Sequence, residues 1–393
     1  MFQPIGGGLG GRWVEGDLVF DHPTPLDEQG TLGRCLESLN KLEGVFRLIL
    51  LAVPTTVEIQ DVLERKLLDL LEGLDLGYEV IPVFPSTLRE LWSRSEIEDL
   101  KAVLNFNGYS HVRNACILVP YILGFEAFLL LDDDEVVSDR GLLDKAAEHL
   151  GEEFQGRRIA AKAGVYLQPH GSPFFKGRTI WWRLLLDSRR AMNEAFRIIE
   201  FGERILDTPF AFGGNMVISR AVVELVPFDP YIPRGEDIDF LVNVKSEGYA
   251  FVLDTALRIL HLPPRSVTPE WMKFRQDAYR FLYMKRKLAL LKELGSKRSV
   301  TWRDLMPYPG RFLDWTLEPR LLATSLLQSA DHLRRLRFKE AGKALSVISL
   351  LLKDYRGQVL KYYGFKERWR RIVPELREDP SLKEALLKRS LKG

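Results

Sequence analysis

Apolar and polar positions along the first third of the chain follow two alternating periods. Val45–Val53 is apolar except for Arg47 and stops at Pro54; Tyr78–Phe84 is a second such run, broken by Glu79 and closed by Pro85; Ala127–Leu131 is a third. Runs of this length suit buried strands and are too short for helices. Between them, Thr31–Leu42 sets Leu32, Cys35, Leu36, Leu39 and Leu42 at helical spacing, and Val57–Leu74, Leu88–Leu104 and residues 111–123 repeat that period. Asp17–Phe20 reads as a short first strand, and the glycines at 6–8 and 10–11 make residues 1–16 a flexible arm. Strand, helix, strand, helix, strand predicts a parallel sheet with right-handed crossovers.

Further along, the spacing predicts a helix over Leu142–Leu150, a strand over Arg158–Leu167 and a loop over Gln168–Arg178. A long helix over Trp181–Ile199 follows, then a glycine pair (Gly213-Gly214) leading into a strand and a helix start at Arg220. Ile232-Pro-Arg-Gly235 opens a helix reaching about Ser246; Tyr249–Leu260 reads as strand, turn, strand; Pro269–Leu294 is a helix. Gly295–Arg298 reads as a hinge, and helices near 318–336, 337–355 and 365–390 complete the chain, with no internal repeat.

Composition narrows the function classes. At 393 residues, 46% of them hydrophobic, the chain suits one large or two modest globular domains. A net charge of +2 does not point to nucleic acid. No apolar stretch reaches membrane-span length, and Met1-Phe-Gln-Pro-Ile has no basic region followed by an apolar core, so neither a span nor a secretory signal is expected. Cys35 and Cys116 are isolated, which indicates neither a disulfide framework nor a thiolate metal site and fits a reduced cytoplasm. Charge is uneven: Thr301–Gly393 holds 20 Lys and Arg against 11 Asp and Glu, a net of +9, leaving about −7 for the rest. A basic C-terminal module beside a mildly acidic one follows.

The third apolar run ends at Asp132-Asp133-Asp134-Glu135. In a parallel α/β sheet, ligands gather beyond the carboxyl ends of the strands, where these acids would lie. Adjacent carboxylates repel unless a cation or donors compensate them. Mg2+ or Mn2+ takes oxygen ligands and bridges phosphates, so a metal–diphosphate site is one reading; a solvated acidic loop is the plainer one. In strand-like geometry Asp132 and Asp134 share a face while Asp133 points away; the register Asp133 with Glu135 is the alternative. A dinucleotide cofactor is disfavoured, because no G-x-G-x-x-G follows a strand, and no P-loop lysine motif is present.

Four pieces in order, His111-Val-Arg113-Asn114-Ala, the aspartates, Gly213-Gly214-Asn215 and Gly235-Glu236-Asp237-Ile-Asp239, resemble the family-2-type glycosyltransferases of GT-A fold over roughly residues 17–285. The resemblance implies an α/β GT-A fold, with a Rossmann-like, mostly parallel central sheet flanked by helices and a helical C-terminal extension. It implies a nucleotide-binding half (17–135), an acceptor-binding half (136–294) and a basic helical domain (295–393). It implies a divalent cation, Mn2+ or Mg2+, on Asp132, Asp134 and His261, the last at the distance where several such enzymes place a metal-binding histidine. A lone histidine before Leu-Pro-Pro would equally be a packed surface residue. Arg113, Asn114 and Asp133 would contact a nucleoside diphosphate sugar, UDP- or GDP-linked. Gly213 and Gly214 would let backbone approach the sugar, with Asn215 donating hydrogen bonds.

Glu236 and Asp237 stand where inverting members carry the catalytic base, with Asp237 as base and Glu236 in support. Removing a proton from an acceptor hydroxyl needs a carboxylate within reach. An acidic helix N-terminus is also favoured by the helix dipole, so both roles are compatible. Gln276-Asp-Ala-Tyr-Arg280-Phe281 is loosely similar to the Gln-x-x-Arg-Trp element of processive synthases; its spacing and last residue differ, and it is set aside.

The function expected is metal-dependent transfer of a hexose to an acceptor hydroxyl, with inversion. The acceptor is unknown, with anionic and lipid-linked acceptors both open. A retaining synthase of a small glycoside, a nucleotidyltransferase and a scaffold protein with a degenerate site are the alternatives. Leu333-Arg-Arg-Leu-Arg-Phe-Lys and Lys361-Tyr-Tyr-Gly-Phe-Lys-Glu-Arg-Trp-Arg-Arg mix aromatic, apolar and basic residues. A helical cap with solvated charges is the plainer reading of them; a grip on membrane headgroups is the sharper one.

Overall fold

The structure is a computed structural model, which describes residues 1–3, 20–93, 98–101, 104–264, 266 and 268–391. Most of the expected arm and strand at 1–20 therefore lies outside the described residues, as does Arg265. Phe2–Gln3 (β1) is described, and pairs in parallel with Thr24–Pro25 (β2).

The first half follows the expected order: Leu32–Leu39 (α1), Arg47–Leu51 (β3), Gln60–Glu72 (α2), Glu79–Val83 (β4), Pro85–Ser93 (α3), Glu98–Lys101 (α4), Tyr109–Ile122 (α5) and Ala127–Leu130 (β5). α1 turns Leu32, Cys35, Leu36 and Leu39 inward, as their spacing requires. Of the helix expected over Leu88–Leu104, α3 and α4 are the described helical parts, and residues 94–97 lie outside the described residues. The first starts at Pro85, whose fixed φ and missing N–H suit a first helical position.

The second half runs Glu135–Val136 (β6), Leu142–Ala147 (α6), Glu153–Phe154 (β7), Arg157–Leu167 (β8), Ser188–Phe196 (α7), Ile205–Asp207 (β9), Met216–Ser219 (β10), Arg220–Val223 (α8), Glu236–Ser246 (α9), Ala250–His261 (β11) and Glu270–Leu290 (α10). The long helix expected at 181–199 is interrupted. A 3-10 turn over Trp181–Leu186 gives way at Asp187, whose carboxylate accepts from Arg190 N at 3.0 Å and caps α7.

The central sheet is mixed rather than mostly parallel. Its path is β5-β10-β8-β11-β6, with β7 added to β8 and β9 to β11. Only β8–β11 is parallel there; β3 and β4 form a separate parallel pair. β10 follows β9 through a loop and not a crossover helix, which leaves antiparallel pairing open to it. The strand–turn–strand expected over Tyr249–Leu260 is one strand with an excursion. Asp254–Leu257 stand opposite the single residue Gly164, between the pairs Leu253–Ala163 and Arg258–Val165.

Leu317–Arg334 (α11), Phe338–Ala344 (α12), Ile348–Leu351 (α13), Arg356–Arg377 (α14) and Pro380–Leu387 (α15) complete the chain. One hydrophobic core runs through the expected boundary at residue 294: Tyr362, Phe365 and Trp369 of α14 share it with Val223, Phe228 and Phe240. The expected hinge is tied down by Arg298 N donating to Ser246 O at 3.1 Å. Leu391 exchanges two backbone hydrogen bonds with Val80, which fastens the last helix to β4. The two basic segments that read alike diverge. Tyr362, Phe365, Lys366 and Trp369 are buried, whereas Leu333–Lys339 is exposed throughout.

Candidate active site

The acids after β5 form a tight turn, not a continuing strand. Glu135 N donates to Asp132 O at 3.2 Å, and Asp132 N donates to the Glu135 carboxylate at 2.9 Å. The expected alternation is therefore lost, and the three aspartates point to three partners. Asp132 takes Arg113, whose guanidinium stands 2.8 and 3.0 Å from its two oxygens. Asp133 faces the Thr31 hydroxyl at 3.3 Å and the Met1 amino group at 3.6 Å. Asp134 faces His261, with 3.5 Å between Oδ2 and Nε2.

Strand pairing fixes that last meeting. β6 pairs with the end of β11, setting His261 opposite Glu135, and Leu262 N donates to Asp134 O at 2.9 Å. The His261 ring stacks on Tyr166 (4.8 Å between centroids), which stacks in turn on Phe212 (4.3 Å). Burial works against the Asp134 carboxylate, but His261 and His22 outweigh it, and its pKa is lowered. Partial burial and the neighbouring Asp134 and Asp133 charges raise the Asp132 carboxyl in spite of Arg113. Burial and the Asp132 charge hold Glu135 well above the usual carboxylate range.

The glycine pair is required by space. A Cβ on Gly214 would lie 2.0 Å from Glu135 Oε1 and 2.7 Å from Asp132 Oδ2; one on Gly213 would lie 2.6 Å from the Arg113 guanidinium. Gly214 N donates to the Tyr166 hydroxyl at 2.8 Å, so this backbone sits directly on the acidic turn.

Arg113 joins the turn to α9. It is buried, and its Nε stands 3.8 Å from Glu236 Oε1. Burial, with Asp237 alongside, pushes the Glu236 carboxyl up to about 7. Asp237 is half-buried, its Oδ1 accepts from Ile238 N at 2.8 Å, and burial raises its pKa against the opposing charges of Arg280 and Arg113. Arg280 lies against this helix start: a Cβ on Gly235, whose φ is +77°, would meet its guanidinium at 2.6 Å.

Two expected contacts belong to the scaffold instead. Asn114 is fully buried, donating to Phe228 O at 3.0 Å and accepting from Phe228 N at 2.8 Å. Asn215 is fully buried too, and its amide donates to Leu257 O at 3.1 Å across the β11 excursion. Amides consumed this way are not free to donate to a sugar.

Sequence reasoning missed four residues at the site. Tyr166 and Phe212 carry no signal beyond being aromatic at a strand end and beside the glycine pair. His22 stands close enough to Asp134 and His261 to interact with both, and its buried Nδ1 has no partner among the described residues. Arg280 had a signal, the Gln276–Phe281 element that was set aside.

Among the described residues, no three His, Cys, Asp or Glu side chains form a ready metal cage. Asp134 and His261 nevertheless fit neighbouring positions on a hard cation. Adjacent ligands on an octahedral ion with bonds of about 2.1 Å stand roughly 3 Å apart. Nearby, a cavity of about 480 Å3 opens at the carboxyl ends of β3 and β4, lined by Thr55, Thr56, Pro85, Trp92 and Phe106 among others. A smaller one of about 120 Å3 runs from Val53 to Arg113, Asp132 and Asp133.

No protein-family model and no curated protein matches the chain. Among solved structures it is similar to the mannosyltransferase PcManGT from Pyrobaculum calidifontis in complex with GDP-Man and Mn2+, at 16% identity over 87% of this chain and 86% of that one, with a TM-score of 0.33. It is similar to a mycobacterial protein at 17% identity over 68% of this chain and 78% of that one (TM-score 0.35). It is also similar to S. aureus TarS at 14% identity over 85% of this chain and 53% of that one (TM-score 0.32). Likenesses of this size carry no residue roles across.

Proposed function

We propose that the chain is a glycosyltransferase of GT-A type that moves a hexose from a nucleoside diphosphate sugar to an acceptor hydroxyl. The observation that carries this reading is the buried Arg113, which touches Asp132 on one side and faces Glu236 on the other. It links a turn suited to a diphosphate with a pair of carboxylates suited to deprotonating an acceptor. The cavity at the ends of β3 and β4 has the size and partly aromatic lining for a nucleoside. Gly213 and Gly214 bring backbone, not side chains, up to the acids.

Asp237 is the proposed base, in an inverting reaction. Glu236, held between protonation states near neutral pH, tunes it; Arg113 orients Glu236 and favours the ionised form of Asp132 against its burial. Asp134 and His261 would hold Mn2+ or Mg2+, whose charge would offset that of the departing diphosphate.

Titration calorimetry with UDP and GDP, with and without Mn2+, together with turnover tests the reading. Asp237→Ala is expected to keep nucleotide binding within about threefold and to lose transfer by about 100-fold or more. Asp134→Ala is expected to abolish the Mn2+ dependence of nucleotide binding. Binding of nucleoside triphosphates alone would instead favour nucleotidyl transfer, and unchanged turnover in Asp237→Ala would remove the base.

A further inference from the structure

Beyond Leu321, which is fully buried, α11 is built largely inside out. Thr324, Ser325, Gln328 and Asp331 face the interior, while Leu322, Leu326, Ala330 and Leu333 face solvent. Spacings of four, four and three hold the exposed set on one face. A helix packed on a water-soluble body has the reverse arrangement. The exposures are large: 52% for Leu326 and 47% for Leu333, then 76% for Leu336 and 67% for Phe338 beyond the helix end. Leu336 is turned out by a left-handed backbone (φ 58°) that a leucine adopts at a cost.

The Trp181–Leu186 turn packs alongside α11 and widens the stripe with Leu184 and Leu185, both exposed. Trp181 donates its indole N–H to Asp331 at 3.0 Å, which satisfies its polar end and leaves the ring in the open. Side chains with one apolar and one wet end are favoured at membrane boundaries.

Charge completes the surface. Leu333–Lys339 contains four cations and no acid. Arg334 and Arg335 contact Asp331 at 3.3 and 3.0 Å yet keep 72% and 51% of their side chains exposed. Arg337 and Lys339 are exposed and make no ion pair among the described residues.

We propose that this face docks peripherally on an anionic lipid bilayer. The leucines and Trp181 would enter the boundary region, with Arg337 and Lys339 against headgroup phosphates. No helix of the described residues is long and apolar enough to cross a membrane, so the contact is interfacial. A second copy meeting this face across a two-fold axis would set basic segments against each other. The turn also reaches the site: Arg183 pairs with Glu270 at 3.0 Å and approaches Asp277, which pairs with Arg280 at 2.9 Å beside Asp237. The docked face would therefore border the acceptor side. The proposal stands apart from sugar transfer, because vesicle binding is read without turnover.

Flotation with vesicles of phosphatidylcholine alone, or with about a third phosphatidylglycerol, tests it. The wild-type protein is expected to bind the anionic vesicles about tenfold more tightly or better, and to bind them less at about 0.5 M salt. Leu326→Glu and Phe338→Glu are each expected to lose vesicle binding. Arg337→Glu combined with Lys339→Glu is expected to lose the preference for anionic lipid, which decides the matter if an apolar variant misfolds. Val62→Ser, on α2, is expected to behave as wild type. Wild-type protein that stays off all vesicles, or variants that bind as it does, would overturn the proposal. So would a dimer in solution that Leu326→Glu converts to monomer.

Discussion

Glu236 and Asp239 lie one turn apart on α9, both buried and both raised by burial, to about 7 and about 6. Their surroundings differ completely. Asp239 accepts from Lys287 on both oxygens, at 2.9 and 2.8 Å, and from Asn243 at 2.8 Å. Lys287 also donates to Asp229 at 2.8 Å, which accepts from the Tyr283 hydroxyl at 2.6 Å. Among the described residues, Glu236 faces Arg113 at 3.8 Å and its own backbone N–H. A closed network fixes where the helix sits; an open one leaves a carboxylate whose proton can move. One helix thus carries a closed network one turn behind an open one.

The contrast is broken most severely at Lys287. Lys287→Ala would strand two buried carboxylates, and denaturant unfolding should show a loss of about 3–5 kcal/mol. A loss under about 1 kcal/mol would mean that the network does not anchor α9. Glu236→Gln should do the opposite. Transfer should fall about 100-fold or more, with unfolding changed by no more than about 1 kcal/mol. Gly214→Ala should combine both effects, costing about 1–3 kcal/mol through overpacking and disturbing the acidic turn. A nucleotide affinity equal to wild type in that variant would separate the glycine pair from the site.

The smallest expected effect is a pH drift. A carboxyl raised from 4.5 to about 7 binds its proton more tightly in the folded chain than in the unfolded one. Its contribution to stability is therefore full at low pH and declines between about pH 4.5 and 7. Transfer should rise over the upper part of that window. Glu236→Gln should reduce the slope of both profiles, and Asp237→Asn, which removes the charge beside Glu236, should move the stability decline to lower pH.

Much of the fold is legible in the sequence because it depends on periodicity. α1, α2, α5 and α9 fall where apolar spacing puts them, and β3, β4 and β5 where short apolar runs end at proline or acid. The mixed sheet was not legible, because pairing direction depends on which strands meet, and β9 and β10 are too short to announce it. The breaks at Asp187 and at Asp379-Pro380 are caps that local chemistry does encode, and helical period alone overrode them. At the site, Arg113, the acids, the glycine pair and His261 gather from four separate segments. Asn114 and Asn215 look the same in sequence whether their amides face a ligand or a neighbouring carbonyl. That difference is one of burial, which one-dimensional spacing does not carry.

The Asp254–Leu257 excursion in β11 sets the phase of the strand end that bears His261. Side chains on a strand alternate between faces, so removing one residue from the excursion would turn each later side chain over. His261 would then move to the place of Leu260 and Leu262 to that of His261, and the imidazole would leave Asp134 without any change to either residue. A change of length within that excursion would thus part His261 from Asp134 while both residues stay in the sequence.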